Sequence, residues 1–420
     1  MGREPFKTAL EAAQSPRGYV HFDAPLSRED CKALVTDPAA VSKHSFYPFI
    51  RHDVVRNKFK RVLGQVKRSK KVRDIRYAAH SDAAIYAYYN FVLMERYEQR
   101  LKLLGLSSSV TAFRALAKSN VDFAHEAFSW IDSNRPCVAL GFDVRDFFGS
   151  LDHALLKKRW SEVLGSQALP SDHYAVFRSL TNHASVELIA ARRALDLSRS
   201  KLDRVTRLCS AMEFRSLIRE KGLIEVNARR RGIPQGAPIS AALSNIYMLP
   251  FDTKLKEEIE GRGGLYRRYC DDILVVVPGA ETKSIVDLVE SELSGLMLTM
   301  QHTKTVTSVF FSGKAETALP YLGLVYDGTD TALRASGISR FYLKMRRGVA
   351  QLKNAKKTDG GTPLVLQRRK ALLNRYSEHT PTSGRSYFRY VKGAAKKTNS
   401  KAIGRQLKAH RKRLRSLISG

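Results

Sequence analysis

The chain has 420 residues, of which 43% are hydrophobic; this composition is ordinary for a globular protein, and the length allows two or three domains. Lysine and arginine number 72 against 40 acidic residues, a formal net charge of +32, and this excess predicts a polyanionic partner, nucleic acid rather than a membrane surface. The sequence shows neither an apolar stretch long enough to span a membrane nor an N-terminal secretory signal, so we expect a cytoplasmic protein with no membrane partner.

The cysteines are scattered along the chain and share no metal-ligand spacing. We therefore expect free thiols in a reducing compartment, at Cys31, Cys137, Cys209 and Cys270. Cys270 lies directly before a pair of acids, and we expect it to matter there only as a small side chain.

A strongly basic stretch over residues 51–76 follows a short helix predicted over 27–35. The stretch contains only two acids, Asp53 and Asp74. A solvated charged helix face is one interpretation, but so few acids leave most of the positive charge unpaired. A surface that binds phosphates accounts for the charge better, and its candidate contacts are Lys67, Arg68 and Lys70.

The next elements follow from hydrophobic periodicity and turn residues. A long helix is predicted over 81–105, with an aromatic stripe that we assign to the core. A strand over 138–143 ends in Asp143, residues 154–226 are predicted to be largely helical, and a Gly/Pro-rich loop follows over 229–238. The further predictions are a helix over 239–249, a hairpin over 265–277, a helix over 281–294, strand-like segments over 298–311 and a short strand over 321–326.

From residue 334 the composition shifts to basic helical segments, and no acid follows Glu378. The aromatic residues of this part can either stack on bases or form a core of their own, and the sequence leaves both readings open for Tyr387, Phe388 and Tyr390. The candidate nucleic-acid contacts here are Arg385, Arg389, Lys392, Lys396 and Lys397.

Adjacent carboxylates at Asp271 and Asp272 lie between two β-rich runs, which predicts a hairpin with acids at its tip. Taken alone, an ordinary solvated turn is the better interpretation. However, a strand-end acid such as Asp143 and a hairpin-tip pair can converge at one edge of a sheet. Their hard oxygen ligands, from two separate segments, would suit two Mg²⁺ ions.

Five motifs in order resemble those of reverse transcriptases, over about residues 44–345. They are the first palm motif around Asp143, the Gln-Gly loop with the following Ser-Asn-Ile-Tyr segment, the Tyr-x-Asp-Asp hallmark, a Lys-Thr pair and a primer-grip Tyr-Leu-Gly. In this sequence they occupy 142–148, 233–247, 269–272, 304–305 and 321–323.

The resemblance implies a role for each matching residue. The residues of catalysis would be Asp143, Asp271, Asp272 and Lys304, the lysine protonating pyrophosphate. The two Mg²⁺ ions would be held by the three aspartates and the backbone carbonyl of Val144, and Asp146 would be structural. The template base and the incoming nucleotide would meet Gln235 and Gly236, and the primer would meet Tyr321 and Gly323.

The resemblance also implies how the deoxynucleoside triphosphate is selected. Phe148 would close off the sugar 2′ position and exclude ribonucleotides, although a core phenylalanine beside Phe147 is the alternative. Arg73 and Arg76 lie where the family holds the triphosphate, and the sequence leaves open which of these and Lys71 reaches it.

The implied fold is α+β, a right-hand polymerase with a small antiparallel palm sheet backed by helices. An N-terminal region and the fingers would occupy 1–137, the palm 138–330 with inserted fingers helices over about 154–230, and a basic α-helical thumb 331–420. The segment over 71–89 resembles bacterial reverse transcriptases of the retron, abortive-infection and defence-associated groups, most of all the unknown-group enzymes, including type 2 systems.

That subgroup implies a DNA polymerase that copies a structured noncoding RNA into cDNA during anti-phage defence, binding the RNA–DNA duplex as it does so. Two other functions stay open on the sequence: a catalytically silent polymerase fold that only binds RNA, and an RNA-dependent RNA polymerase. The intact acids speak against the first, and Phe148 with the Tyr-x-Asp-Asp form speaks against the second.

Overall fold

The computed structural model describes residues 6–62, 65–202, 205–279, 282–359, 362–376, 387–408 and 410–419. Small sheets and many helices alternate along the chain, so the α+β prediction is confirmed. No helix in these ranges is long and apolar enough to cross a membrane.

The strands are β1 Phe49–Val62, β2 Gln65–Tyr77, β3 Cys137–Asp143, β4 Ala184–Glu187, β5 Glu225–Val226, β6 Leu265–Tyr269, β7 Asp272–Pro278, β8 Val306–Phe310, β9 Leu319–Tyr321, β10 Leu324–Tyr326 and β11 Thr331–Leu333. The helices are α1 Ala9–Ala13, α2 Arg28–Val35, α3 Pro38–Lys43, α4 His80–Leu103, α5 Asn120–Ser133, α6 Phe147–Ser150, α7 His153–Leu164, α8 Ser171–Thr181, α9 Leu188–Ala194, α10 Arg199–Leu202, α11 Ala211–Glu213, α12 Ser240–Tyr247, α13 Leu249–Gly261, α14 Thr282–Gly295, α15 Ala335–Asp359, α16 Pro363–Tyr376, α17 Tyr387–Lys397, α18 Lys401–Gln406 and α19 His410–Ser419. A π-helix, Phe214–Arg219, and a 3₁₀ turn, His302–Lys304, complete the helical segments described.

A four-stranded antiparallel sheet, which we call the central sheet, carries the predicted acids in the strand order β6-β7-β3-β8. β6 and β7 are the arms of the predicted hairpin, and β3 lies between β7 and β8. β3 pairs with β7 from Cys137 opposite Pro278 to Asp143 opposite Asp272. This register therefore brings the strand-end acid to the hairpin tip.

The central sheet is buried on both faces. In β7, Ile273, Val275 and Val277 belong to a core that includes residues of α4, α7 and α12. Leu274 and Val276 belong to a second core that includes residues of α5 and α17. Successive side chains of a strand point to opposite faces, so the uninterrupted apolar run of β7 suits a sheet covered on both sides.

The basic stretch forms a long antiparallel pair of strands, β1 and β2, which we call the basic ribbon. At its base β1 pairs in parallel with β4, and β5 extends the same sheet. The charged-helix interpretation of residues 51–76 is therefore wrong. Alternate residues of each strand face opposite sides of the ribbon, a geometry that matters for the arginines below.

The C-terminal helices α15 to α19 have their own apolar core, and this helical prediction is confirmed. Phe388 is 5% exposed in that core, and the Tyr387 ring stacks on Phe341 with 4.5 Å between centroids. Tyr390 packs against the second core of the central sheet. All three rings are thus engaged in protein packing. The predicted domain boundaries at 137/138 and 330/331 stay predictions.

Two predicted elements are divided in the structure. The helix over 239–249 is two helices, because Pro250 in the first turn of α13 lacks the N–H that a continuous helix would need. The strand over 321–326 is a hairpin, β9 and β10, whose turn residues Leu322 and Gly323 have φ of 46° and 91°. Such positive φ values suit the tight turns that join twisted strands.

Candidate active site

The hairpin tip that carries the acidic pair is a two-residue connection. Tyr269 pairs with Asp272, which leaves Cys270 and Asp271 to make the turn. Cys270 has a φ of 60°, a left-handed conformation that is uncommon for a residue other than glycine. Burial raises the pKa of the Cys270 thiol, so the thiol is neutral and a poor nucleophile.

Asp143 and Asp272 are directly opposite each other where β3 and β7 end. The N–H of Val144 donates to the carbonyl of Asp271 at 3.3 Å, which ties the strand end to the turn. Next to this contact, Val144 and Met300 form an isolated antiparallel β-bridge. In this bridge Gln301 donates its N–H to the carbonyl of Asp143 at 2.8 Å, so the bridge does not use the carbonyl of Val144. The sequence prediction that these segments meet at one sheet edge is confirmed.

The carboxylates at this edge repel each other. Although Asp272 stays exposed to solvent, partial desolvation of its carboxyl group, followed by repulsion from Asp271 and Asp143, raises its pKa to about 6. Arg334 and Lys304 act in the opposite direction. Because the side chain is exposed, repulsion between carboxylates is the cause that bears most directly on cation binding.

Lys304 reaches the strand-end acid through the 3₁₀ turn His302–Lys304. Its Nζ donates to Oδ1 of Asp143, and the lysine side chain is 39% exposed. The short turn begins directly after Gln301, whose N–H is held by the carbonyl of the same aspartate. The predicted catalytic lysine and the predicted metal ligand are therefore in contact.

The donor chemistry of this edge fits Mg²⁺. Within the described ranges, no three His, Cys, Asp or Glu side chains are grouped as a metal-binding cluster; Asp143 is paired with Lys304 instead. Asp143, Asp271 and Asp272 nevertheless supply hard oxygen ligands from two chain segments. Repulsion from Asp271 and Asp143, which after desolvation contributes to the raised pKa of Asp272, is what a divalent cation would relieve.

The Gln-Gly loop is locked against the basic ribbon. Arg76 donates its backbone N–H to the carbonyl of Gln235 at 2.9 Å. Gly236 has a φ of 123°, and a Cβ there would lie 2.5 Å from the carbonyl oxygen of Arg76. Only glycine allows this approach, which gives a physical reason for the second residue of the motif.

The same loop is joined to the first motif. Ile233 donates its N–H to the carbonyl of Phe148 at 2.9 Å. The Phe148 side chain is half-buried against the main core, and its ring centroid lies 5.6 Å from that of Phe147, which is 5% exposed. Of the two phenylalanines, Phe148 is the one that retains an exposed surface. Its role in sugar selection stays a prediction.

The two predicted triphosphate-binding arginines lie on opposite sides of the basic ribbon. Ile75 touches the Gly236 position, and Arg73, two residues earlier, shares its side. Arg76 lies on the other side, where its guanidinium contacts the carboxylate of Asp74 at 2.8 Å. This placement favours Arg73 for the nucleotide, while Arg76 contributes its backbone to the Gln-Gly loop.

The predicted nucleic-acid contacts fall into four groups. Lys70, Gly323, Arg389, Lys392 and Lys396 are exposed, whereas Tyr321 is buried at 5% exposure, with no hydrogen-bond partner for its hydroxyl in the described structure. Lys397 is engaged in a contact of its Nζ with both carboxylate oxygens of Asp122. The side chains of Lys67 and Arg68, and all of Arg385, lie outside the described residues.

Two features near the site have no counterpart in the sequence predictions. Arg334 lies close enough to Asp272 to lower its pKa. Arg268, two residues before the turn, is fully buried, and its guanidinium donates to the carbonyl of Cys270 in the turn. No signal in the sequence singles it out, because β6 carries two adjacent arginines and only the packing shows that Arg268 is the buried one.

A family profile described as reverse transcriptase (RNA-dependent DNA polymerase) matches residues 109–326, more than half of the chain. The chain belongs to this reverse transcriptase family. The matched region contains the acidic hairpin, the strand that ends in Asp143, the Gln-Gly loop and Lys304. Enzymes of the family are nucleotidyltransferases, so the enzyme-class prediction is confirmed.

Among solved structures the chain is similar to apo telomerase from Candida tropicalis truncated from its C-terminal domain, at 12% identity and a TM-score of 0.42, over 74% of this chain and 61% of that one. It is also similar to telomerase from Candida albicans in complex with a TWJ fragment of telomeric RNA, at 12% identity and a TM-score of 0.40, over 90% of this chain and 66% of that one. The chain thus spans less than two thirds of these structures. No curated protein sequence matches it.

Proposed function

We propose that the chain is an RNA-directed DNA polymerase that copies a partner noncoding RNA into cDNA. The observation that carries this proposal is the strand register that sets Asp143 opposite Asp272, with Lys304 bound to Asp143. Acids and a lysine meeting at one sheet edge supply what nucleotidyl transfer needs: ligands for divalent cations, and a positive group near the leaving pyrophosphate.

Each part of the site has a task in this reaction. Two Mg²⁺ ions, when bound, would activate the primer 3′-hydroxyl and neutralise charge on the triphosphate. Asp143, Asp271 and Asp272 would hold them, with the carbonyl of Val144. Lys304 would deliver a proton to pyrophosphate.

The nucleotide is positioned by the elements around the sheet edge. The Gln-Gly loop, fixed by Arg76 and by Phe148, would pack on the template base and the incoming dNTP. Arg73 would contact the triphosphate, and Phe148 would exclude the 2′-hydroxyl.

The partner is proposed to be a structured RNA, and the setting bacterial anti-phage defence. A net charge of +32 suits an RNA larger than the short primer–template duplex at the active site. The similarity of residues 71–89 to defence-associated bacterial enzymes supports the setting. All four cysteines are free and buried, which agrees with a cytoplasmic, reducing location.

The test is incorporation by the purified protein on a primed RNA template with Mg²⁺ and either dNTPs or NTPs. We expect incorporation from dNTPs. Asp271→Ala with Asp272→Ala should reduce synthesis at least about a thousandfold while RNA binding persists, because charge stabilisation in the transition state is lost.

Asp146→Asn is the control, since Asp146 lies in the first palm motif with Asp143 but its carboxylate lies against Gly149, and this variant should retain most activity. Synthesis that persists in the double alanine variant would refute the metal assignment. Incorporation by the wild type from NTPs alone would make the enzyme an RNA polymerase, and none from either pool would leave an RNA-binding protein.

A further inference from the structure

A fully buried ion pair lies beneath the acidic turn. Arg268 of β6 and Asp252 of α13 are both 0% exposed. The guanidinium Nε and Nη2 donate to the two carboxylate oxygens of Asp252, each at 2.6 Å. This is the bidentate arrangement in which arginine binds a carboxylate most strongly.

The remaining nitrogen of the guanidinium reaches the turn itself. Nη1 of Arg268 donates at 3.1 Å to the carbonyl of Cys270 and at 3.1 Å to Oδ1 of Asn245. Asn245 is fixed in turn, because its Nδ2 donates to the carbonyl of Ala112 at 3.0 Å. One side chain therefore joins α12, α13 and the backbone of the turn.

The anchored carbonyl belongs to the strained residue of the turn. Cys270 has a φ of 60°, and such conformations persist only where the surroundings hold them. The peptide bond that starts at this carbonyl continues into Asp271, whose own carbonyl is held by Val144 at 3.3 Å. Arg268 on one side and Val144 on the other thus set the orientation of the peptide that carries the acids.

Stability alone explains this arrangement poorly. Removing two charges from water is costly, and buried ion pairs can often be replaced by apolar residues without loss of stability. The hydroxyl of Tyr266 adds a third donor to Asp252, at 2.6 Å, so the carboxylate is held as rigidly as the arginine. Rigid placement of the Cys270 carbonyl is what an apolar replacement could not reproduce.

We propose that Arg268 is a positioning residue of the polymerase site: held by Asp252 and Asn245, its guanidinium fixes the carbonyl of Cys270 and so sets the orientation of Asp271 and Asp272. The proposal rests on the proposed function for its catalytic consequence. Its geometric consequence, the affinity of the aspartates for a divalent cation, can be measured without catalysis.

The test uses Arg268→Lys in the full chain. Lysine keeps the charge but cannot contact Asp252, Asn245 and the Cys270 carbonyl with one planar fork. We expect kcat for dNTP incorporation to fall about 10- to 100-fold, and Mn²⁺ affinity, measured by electron paramagnetic resonance without nucleic acid, to fall about tenfold or more, as for residues that orient metal ligands. The Kd for primed template should stay within about twofold of wild type.

Arg114→Lys is the matched control. The side chain of Arg114 is 2% exposed and forms a similar bidentate pair with Glu98, at 2.7 and 2.6 Å. Its other hydrogen bonds go to the carbonyls of Ser107 and Val110 rather than to the turn. It should change the melting temperature about as much as Arg268→Lys while kcat and Mn²⁺ affinity stay near wild type. Equal losses in the two variants would overturn the proposal.

A second variant covers the case in which Arg268→Lys does not fold. Arg268→Met, Asp252→Leu and Tyr266→Phe together remove the ion pair and the hydroxyl that would lose its partner. A folded triple variant with wild-type kcat and Mn²⁺ affinity would refute positioning by Arg268. A wild type that makes no DNA would refute the proposed function, and the Mn²⁺ comparison would still decide the role of Arg268.

Discussion

Phe148 connects two motifs of the site, because its carbonyl holds the N–H of Ile233 while its ring lies beside the half-exposed edge of the main core. The backbone contact is independent of the side chain. A substitution at this position can therefore change the space beside the nucleotide sugar and leave the link to the Gln-Gly loop in place.

We predict that Phe148→Val admits ribonucleotides. The ratio of kcat/KM for dNTP over NTP should fall about 10- to 100-fold, since the gain in space is comparable to a few methylene groups. Phe147→Val is the control: Phe147 is 5% exposed, so its truncation should lower the melting temperature and leave the ratio unchanged. A dNTP preference that survives Phe148→Val would remove Phe148 from sugar selection.

At the residue scale, the sequence predicted which acids meet at the ends of β3 and β7 but not what holds them. Asp143, Asp271 and Asp272 stood out because motif order and strand ends identify them. Arg268 did not, because its meaning depends on Asp252 and Asn245, which reach it only through the packing of α12 and α13 on β6. A buried charge is recognisable in a sequence only when its partner is known.

At the scale of elements, local signals predicted well and long-range pairings did not. The hairpin over 265–277 follows from two β-rich runs that flank a short turn with adjacent acids. The basic ribbon has no such pattern, since its charges obscure the period-two alternation, and cross-strand pairs such as Asp53 with Asp74 place like charges opposite each other. Only the partner strand and the joining of β1 to β4 define these residues as β-structure.

Helix α17 illustrates how packing separates neighbouring residues of the same type. Lys396 and Lys397 were predicted as equivalent contacts to nucleic acid. In the structure Lys397 holds Asp122 at the start of α5; although burial acts to raise it, hydrogen bonds from Lys397 and Ser119 lower the pKa of Asp122 to about 2. Lys396 is exposed.

We predict that Lys396→Ala and Lys397→Ala differ in their effect on RNA binding. Lys396→Ala should reduce the slope of log Kd against log salt by about 0.7 to 0.9, the value for one lost phosphate contact. Lys397→Ala should leave the slope unchanged and lower the free energy of unfolding by less than about 1 kcal/mol, since its side chain is half exposed. An equal reduction of the slope in the two variants would show that Lys397 leaves Asp122 when RNA binds. An unchanged slope in both variants would contradict the phosphate contact of Lys396.

At the scale of the whole molecule, the positive charge is concentrated in segments that border the site. The basic ribbon lies on one side of the Gln-Gly loop, and Arg229, Arg230 and Arg231 lie directly before it, all three exposed. Elsewhere, charge is balanced locally: on α13, Lys254 and Lys256 pair with Glu258 and Glu260. Net charge alone could not distinguish these two situations, although it predicts a nucleic-acid partner.

We predict that RNA affinity falls steeply with salt and that the arginines before the Gln-Gly loop account for a measurable part of this dependence. Replacing Arg229, Arg230 and Arg231 by alanine should reduce the slope of log Kd against log salt by about 2, from three phosphate contacts at about 0.7 each on single-stranded RNA. Lys254→Ala with Lys256→Ala is the control, because those charges are already neutralised by acids of the same helix. The measurement is Kd by fluorescence anisotropy from about 50 to 300 mM salt. A flat response of the wild type would contradict the role assigned to the charge, and equal slopes for the arginine and lysine variants would place the RNA away from this loop.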